Sequence, residues 1–275
     1  MVALWSAALV AGLAAVAALM QAQYTHLKEM GGFMRIAGIL AFAACVAENS
    51  CISWYKYYHY SDEWGIFLGH VPLHVVLIWP LFILGEHRYL RSLCNDLRLR
   101  ALLCFVDVAL LANLVEIYCV AAKLWFWKES NCLGVPWIGV LGWALFATPA
   151  VLLLSIEEAR PNTKVTLGIT LGLTLVLCLA TLHGGLVLVW QLGLLFNLRL
   201  GSVRPQTEAL AISLIQLLYH LATRRLPRPQ LRQELPRLLA CGILAALLLK
   251  GRPLPIWELL LVSGASMLRI LAFQL

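Results

Sequence analysis

The sequence predicts an all-α protein, a polytopic bundle of transmembrane helices that forms a single integral membrane domain over residues 1–275. Three observations support this prediction. Apolar residues make up 61% of the chain and charged residues only 13%, whereas soluble domains contain about 25% charged residues. Apolar stretches of about 20 residues, long enough to cross a bilayer, recur from one end of the chain to the other. The polar gaps between these stretches are short.

The apolar runs predict about eight spans, with a range of roughly seven to nine. They lie near residues 2–20, 35–53, 66–85, 101–122, 134–156, 165–196, 206–222, 238–250 and 254–273. The run 165–196 is overlong and contains His183-Gly184-Gly185, so it forms either one tilted helix or a broken one. Pro253 and Pro255 separate the last two runs, which therefore form either a helix pair or one re-entrant element.

Basic residues are distributed unevenly between alternate gaps. The densest gaps, Arg88–Arg100 and Arg224–Arg237, fall on the same side of the predicted bundle. The positive-inside rule places that side in the cytoplasm and the N-terminus outside, in what we predict to be the plasma (inner) membrane of a bacterium. The first run lacks a basic n-region, so we interpret it as a retained span rather than a cleaved signal peptide.

The distribution of charge argues against a nucleic-acid-binding protein, and the spacing of the cysteines argues against a Cys-x-x-Cys motif. The formal charge of +7 is spread over short gaps rather than gathered on one face, which argues against nucleic acid as a partner. The eight cysteines are scattered without a Cys-x-x-Cys pair, as small packing residues would be. A disulfide between Cys51 and Cys132 remains an alternative.

The chain contains an internal repeat of helix pairs. The repeat units cover about residues 35–85 and 101–156, and C-terminal helices follow over residues 165–273. In each unit a Val-Pro dipeptide precedes a tryptophan by the same spacing; the copies are Val71-Pro72 with Trp79 and Val135-Pro136 with Trp143. Proline at the start of a helix loses no hydrogen bond, so we expect these dipeptides to open the third and fifth spans. Repeated helix pairs often place a site at the repeat interface.

A glutamate lies late in the apolar span before each Val-Pro dipeptide, Glu48 in one unit and Glu116 in the other. A charged carboxylate inside a bilayer costs about 2.5–3.5 kcal/mol, measured for Asp, so such a group is expected to face the bundle interior. Burial favours the neutral acid, which can act as a general acid. We predict Glu48, Glu116 and Asp62, an acid in an exposed gap, as catalytic residues. The alternative is a structural glutamate that is hydrogen bonded to a neighbouring helix.

The segment Trp54–Trp64 is the densest polar and aromatic stretch of the chain. Aromatic faces stabilise cations, which predicts a substrate site; an aromatic belt at the membrane surface is the alternative. The predicted substrate-binding residues are Trp54, Tyr57, Tyr58, His59, Tyr60, Trp64, His70, His74, Trp79 and Trp143. Although three of them are histidines, the sequence contains no His-Glu-x-x-His motif, and we predict neither a metal nor another cofactor.

Several of these residues resemble the signature of carotenoid hydratase-type membrane proteins, a family related to the transmembrane lycopene cyclases. The similar elements are Ala47-Glu48, Tyr57–Asp62, Gly69–Leu73, Trp79, Gly134-Val135-Pro136 and Gly142-Trp143. The resemblance covers about residues 40–145. The chain departs from the family at His70, where the family has glycine, at Gly139, where it has a polar residue, and at Cys51–Trp54, where it has a Gly/Pro-rich turn.

The resemblance implies a membrane enzyme that acts on long isoprenoid or carotenoid chains. Reactions of this family begin with protonation of a carbon–carbon double bond, and capture by water then gives hydration whereas capture by a second alkene gives cyclisation. The implied partners are a hydrophobic isoprenoid or lipid substrate and the membrane lipids. Two alternatives remain from the residues alone: a proton-coupled transporter of lipids or small molecules, and a non-catalytic membrane scaffold or assembly subunit.

Overall fold

The computed structural model describes residues 27–128, 134–159, 167–195 and 205–223, and these residues are mostly helical. The helices are α1 Leu27–Tyr55, α2 Leu73–Leu93, α3 Leu97–Ala121, α4 Trp137–Ala159, α5 Leu167–Leu195 and α6 Pro205–Thr223. Some predictions concern residues outside these ranges: the span near 2–20, the runs 238–250 and 254–273, the gap Arg224–Arg237, and Cys132.

Four of the described helices are long and apolar enough to cross a membrane. The qualifying segments are Met34–Tyr55, Leu97–Ala121, Trp137–Ile156 and Gly172–Gln191. Helix α2 is not among them, because Glu86, His87 and Arg88 follow one another in its second half and lower its hydropathy. The prediction of a helical membrane protein is therefore confirmed for the described part of the chain.

The run 165–196 forms one continuous helix in the structure, α5, so the His183-Gly184-Gly185 sequence does not break it. Gly185 has a packing role instead. A Cβ atom at this position would lie 2.5 Å from the side chain of Leu145, so the missing side chain lets α5 approach α4 closely.

Short strands accompany the helices, which the all-α prediction did not include. Strand β1, Tyr58–Tyr60, pairs antiparallel with β4, Trp125–Trp127, and β2, Phe67–Leu68, pairs antiparallel with β3, Val71–Pro72. A 3-10 helix, Asp62–Trp64, lies between β1 and β2.

The span predicted from residue 66 is wrong at its start, because residues 67–72 form the β2–β3 hairpin and α2 begins only at Leu73. Pro72 is the N-cap of α2, and Pro136 directly precedes α4. Both Val-Pro dipeptides therefore open helices, as predicted.

The paired strands β1 and β4 bring one end of the bundle together. They follow α1 and α3 after only a few residues, so both helices end at the same end of the bundle, next to the strand pair. Helix α2 leads away from this end, and the loop 94–96 turns the chain at the other end. There the buried side chain of Arg100 donates hydrogen bonds to Ser155 Oγ and to the carbonyl oxygen of Cys94, both at 2.8 Å.

The hairpin between β2 and β3 depends on a glycine. Gly69 has φ +68°, and a Cβ atom there would lie 2.3 Å from Asn49 Oδ1. The Asn49 side chain accepts a hydrogen bond from the backbone N–H of His70 at 2.7 Å and donates one to Leu68 O at 3.0 Å, so it holds the hairpin on α1.

Replacing Gly69 by alanine should therefore lower the free energy of unfolding by about 2–4 kcal/mol, since the left-handed backbone is strained and the Asn49 hydrogen bonds are displaced. Gly65→Ala is the matched control. Gly65 has φ +83°, and a Cβ atom there would meet no neighbouring atom within 4 Å. Only the strain of the left-handed backbone, about 1–2 kcal/mol, is therefore expected. Denaturant titration in detergent micelles measures both, and equal losses would contradict the role of Asn49.

Candidate functional site

Glu48 lies near the end of α1 and accepts three side-chain hydrogen bonds. The hydroxyls of Tyr58 and Tyr60 donate to its Oε2 atom, Tyr60 at 3.1 Å, and the indole N–H of Trp79 donates to Oε1 at 3.0 Å. The tyrosines come from β1 and the tryptophan from the second turn of α2. A strand and a second helix therefore converge on this carboxyl group of α1.

Glu116 has a corresponding arrangement near the end of α3. The indole N–H groups of Trp125 and Trp127 donate to Oε2 at 2.7 and 3.0 Å, and that of Trp143 donates to Oε1 at 2.8 Å. The first two tryptophans come from β4 and the third from the second turn of α4. The Glu116 side chain is 3% exposed, so its partners replace water completely.

Strand geometry explains how two residues of each strand reach one carboxyl group. Successive side chains of a strand point to opposite faces, so the first and third residues share a face. In the β1–β4 pair, Tyr58 lies opposite Trp127 and Tyr60 opposite Trp125. These are the four inward residues. The central pair, His59 and Phe126, is exposed, and its rings stack on the other face at 5.2 Å.

Both strands begin after a lysine with a left-handed backbone. Lys56 has φ +53° and follows α1, and Lys123 has φ +58° and follows α3. A left-handed residue commonly ends a helix, but glycine usually occupies that position. The two turns therefore direct β1 and β4 back across the glutamates in the same way, at the cost of about 1–2 kcal/mol of backbone strain each.

The two glutamate sites meet at a pair of tryptophans. The ring centroids of Trp79 and Trp143 are 4.7 Å apart, and each indole donates to a different glutamate. Phe82 and Phe146 pack edge-on against this pair. The structure thus brings together Glu48, Glu116, Tyr58, Tyr60, Trp79 and Trp143 from the predicted site.

The two glutamates differ in what their partners can do with a proton. A tyrosine hydroxyl both donates and accepts hydrogen bonds, whereas an indole N–H only donates. Burial and the nearby charge of Glu48 raise the pKa of the Tyr58 and Tyr60 phenols well above their ordinary value, so both keep their protons. Either hydroxyl can turn and accept a hydrogen bond from the protonated carboxyl group of Glu48. The three indoles around Glu116 only donate hydrogen bonds, so they favour its carboxylate form.

The remaining predicted residues lie outside this double site. Trp54, His59, Asp62 and His70 are exposed. Asp62 starts the 3-10 helix and is exposed, and it is not among the described hydrogen-bond partners of Glu48 or Glu116, so we assign it no part in proton transfer. Trp64 donates its indole N–H to Leu124 O at 2.7 Å, and the buried His74 ring lies 5.8 Å from the Trp64 ring.

The sequence analysis missed three residues of this end of the bundle. Trp125 and Trp127 are direct partners of Glu116, and their Trp-x-Trp spacing matches the Tyr-x-Tyr spacing of Tyr58 and Tyr60. His183 of α5 is the third. Its ring nitrogens lie 2.9 Å from Ser50 Oγ and 2.9 Å from the Tyr55 hydroxyl, and these contacts join α5 to α1.

An aromatic group covers this contact between α1 and α5. Trp54 packs against the ring of His183 with centroids 4.6 Å apart, and Tyr57 stacks between Tyr55 and Trp190. Tyr57 and Trp54 therefore belong to the α1–α5 interface, whereas Tyr58 and Tyr60 belong to the glutamate site.

Comparison of the chain with protein-family models, with curated proteins and with solved structures finds no match. Its classification therefore rests on the fold and the site. They define a helical membrane protein in which two glutamates, each hydrogen bonded to three aromatic side chains, lie at one end of the bundle.

Proposed function

We propose that this protein is a membrane enzyme that protonates a carbon–carbon double bond of a long isoprenoid or carotenoid chain, as a hydratase or a cyclase. Glu48 is the general acid. The observation that supports this assignment is the difference between the two glutamates: Glu48 is bonded to hydroxyls that can accept a hydrogen bond from its protonated form, and Glu116 is bonded only to N–H donors.

Glu116 has a second role in this proposal. As a carboxylate fixed by three indoles, it supplies a negative charge that stabilises the carbocation formed by protonation. The faces of Trp79 and Trp143 lie between the two glutamates and add a cation–π contribution of about 0.5–2 kcal/mol each. The resemblance to the carotenoid hydratase-type family supplies the substrate class.

The proposal includes the internal repeat and its topology. Each unit consists of a helix with a late glutamate, a left-handed lysine, a three-residue strand, and a helix that starts after Val-Pro and carries the indole partner. The antiparallel pairing of β1 with β4 joins the two units. The full chain has about eight spans, and the strand end of the bundle faces outward from a bacterial plasma membrane, with the N-terminus on the same outer side.

Single-cysteine labelling tests this topology. In a cysteine-free background, Asp62→Cys should react with an impermeant maleimide in intact cells, because β1 and the 3-10 helix lie on the outer side. Asn95→Cys, in the exposed loop between α2 and α3, should react only after the membrane is opened. Labelling of Asn95→Cys from outside would contradict the orientation, and labelling of both positions from one side would contradict the span count.

The activity is tested by expressing the chain in cells that accumulate the linear carotenoid lycopene. We expect a new hydroxylated or cyclised carotenoid that is absent from cells with an empty vector. Purified protein in lipid nanodiscs should form the same product from added lycopene. If lycopene and shorter linear isoprenoids are all recovered unchanged, the proposed activity is excluded.

A non-catalytic scaffold is the second candidate function, and one observation favours it. Each glutamate accepts hydrogen bonds from a strand and from a second helix, so each acts as a cross-link between three elements of the chain, its own helix included. A scaffold predicts that the glutamates affect stability alone. Unchanged lycopene combined with proton-coupled flux of a lipid across liposomes would instead identify a transporter.

A further inference from the structure

A buried carboxamide lies one helical turn from Glu116. Asn113 is 2% exposed, and neither its amide nitrogen nor its amide oxygen has a hydrogen-bond partner among the described residues. Helical spacing places Asn113 between Ala109 and Ile117, which belong to an apolar cluster that also contains Val140. A buried amide without partners costs about 1–3 kcal/mol, so a polar group outside the described residues is expected to bind it.

Glu116, three residues further along α3, also has hydrogen-bonding capacity left. Each carboxylate oxygen accepts two hydrogen bonds. Oε2 accepts two, from Trp125 and Trp127, but Oε1 accepts one, from Trp143. Residues three apart on a helix are neighbours, with Cβ atoms about 5–6 Å apart. The two side chains therefore project from adjacent positions of α3, where one small hydrogen-bonding molecule can contact both of them.

We infer that Asn113 and Glu116 bind one water molecule between them, and that this water is the nucleophile of a hydration reaction. The inference rests on the proposed function and deepens it. The two repeat units then have different roles: Glu48 in the first unit donates the proton, and Asn113 and Glu116 in the second unit bind the water. Cys45, which has the corresponding place before Glu48 in the first unit, offers no carboxamide.

The reaction balances with these groups. Glu48 gives its proton to one alkene carbon, whose new C–H bond takes the π electrons, and the neighbouring tertiary carbon becomes the cation. The water oxygen then forms a C–O bond to that carbon. Glu116 accepts the proton that the water loses, through Oε1. The product is a tertiary alcohol, and transfer of one proton from Glu116 to Glu48 through solvent completes the cycle.

The experiment uses purified full-length protein in nanodiscs with lycopene in D₂O. Wild type should form alcohol with deuterium on the carbon next to the hydroxyl-bearing carbon. Asn113→Leu, which keeps the size of the side chain, should form at least about 10-fold less alcohol, because the water is no longer positioned. The cation should still form and lose a proton, so recovered lycopene or its double-bond isomer should gain deuterium.

Further variants separate positioning from folding. Asn113→Ser introduces a hydroxyl that can hydrogen bond to water and leaves room for that water, so it should retain more alcohol formation than Asn113→Leu. Thr148→Val is the matched control, because Thr148 Oγ1 is also buried and unpartnered among the described residues, and it should keep the wild-type ratio of alcohol to deuterated alkene. An unchanged ratio in Asn113→Leu, or loss of deuterium uptake together with alcohol, overturns the inference. Absence of both products from wild type overturns the proposed function instead.

Discussion

Glu48→Gln should reduce turnover of lycopene by about 10²–10⁴-fold, because glutamine has no acidic proton and general acid catalysis has this magnitude. The variant should remain folded. Its amide oxygen can take the place of Oε1 and accept from Trp79, and its NH₂ group can take the place of Oε2 and donate to the hydroxyls of Tyr58 and Tyr60. A hydroxyl can act as acceptor, so both hydroxyls keep a hydrogen bond to residue 48 and no two fixed donors face each other.

The measurement is product formed per mole of purified protein in nanodiscs, with the free energy of unfolding measured on the same preparations. Glu63→Gln is the control, because Glu63 is an exposed carboxylate in the adjoining 3-10 helix, and it should leave both quantities near wild type. Glu48→Asp retracts the acid by one methylene and should keep partial activity. Full turnover by Glu48→Gln would remove Glu48 as the acid and favour the scaffold.

Glu116→Gln should lower the free energy of unfolding by about 1–3 kcal/mol, in contrast to the same change at Glu48. The reason lies in the partners. All three are indole N–H donors, two on Oε2 and one on Oε1. When the glutamine oxygen accepts from Trp125 and Trp127, its NH₂ group faces the N–H of Trp143. Two buried donors then oppose each other without an acceptor.

A double-mutant cycle with Trp143→Phe tests this explanation. The phenylalanine removes the opposing donor, so the double variant should be more stable than the sum of the two single losses predicts, by about 0.5–3 kcal/mol. Denaturant titration of all four proteins in the same detergent gives the coupling. Additive losses would show that Glu116 and Trp143 are independent, and the assignment of Glu116 as a fixed carboxylate would then be wrong.

These two predictions also distinguish the candidate functions. An enzyme requires that Glu48→Gln loses activity and keeps stability, whereas Glu116→Gln loses stability. A scaffold has no activity to lose, and its two glutamine variants differ in stability alone. The difference between hydroxyl and indole partners therefore produces separate, measurable consequences for the two halves of one site.

The chemistry of the site was only partly predictable from the sequence. Glu48 and Glu116 could be selected because an acid in an apolar span has a solvation cost that must be met by partners. Their partners could not be assigned, since the donors lie 9 to 31 residues further along the chain by residue number. The spacing shared by Tyr58-x-Tyr60 and Trp125-x-Trp127 was visible, but its meaning depends on an extended backbone with alternating faces.

The sequence by itself determined the helices, because length and apolarity are local properties that the bilayer selects. It also determined two helix starts, since Pro72 and Pro136 have no backbone N–H to satisfy. Only the tertiary structure decided that β1 pairs with β4, that α5 continues through His183, and that Asp62 stays outside the site. Each of these depends on contacts between residues distant in the chain, which no local pattern of apolar and polar residues encodes.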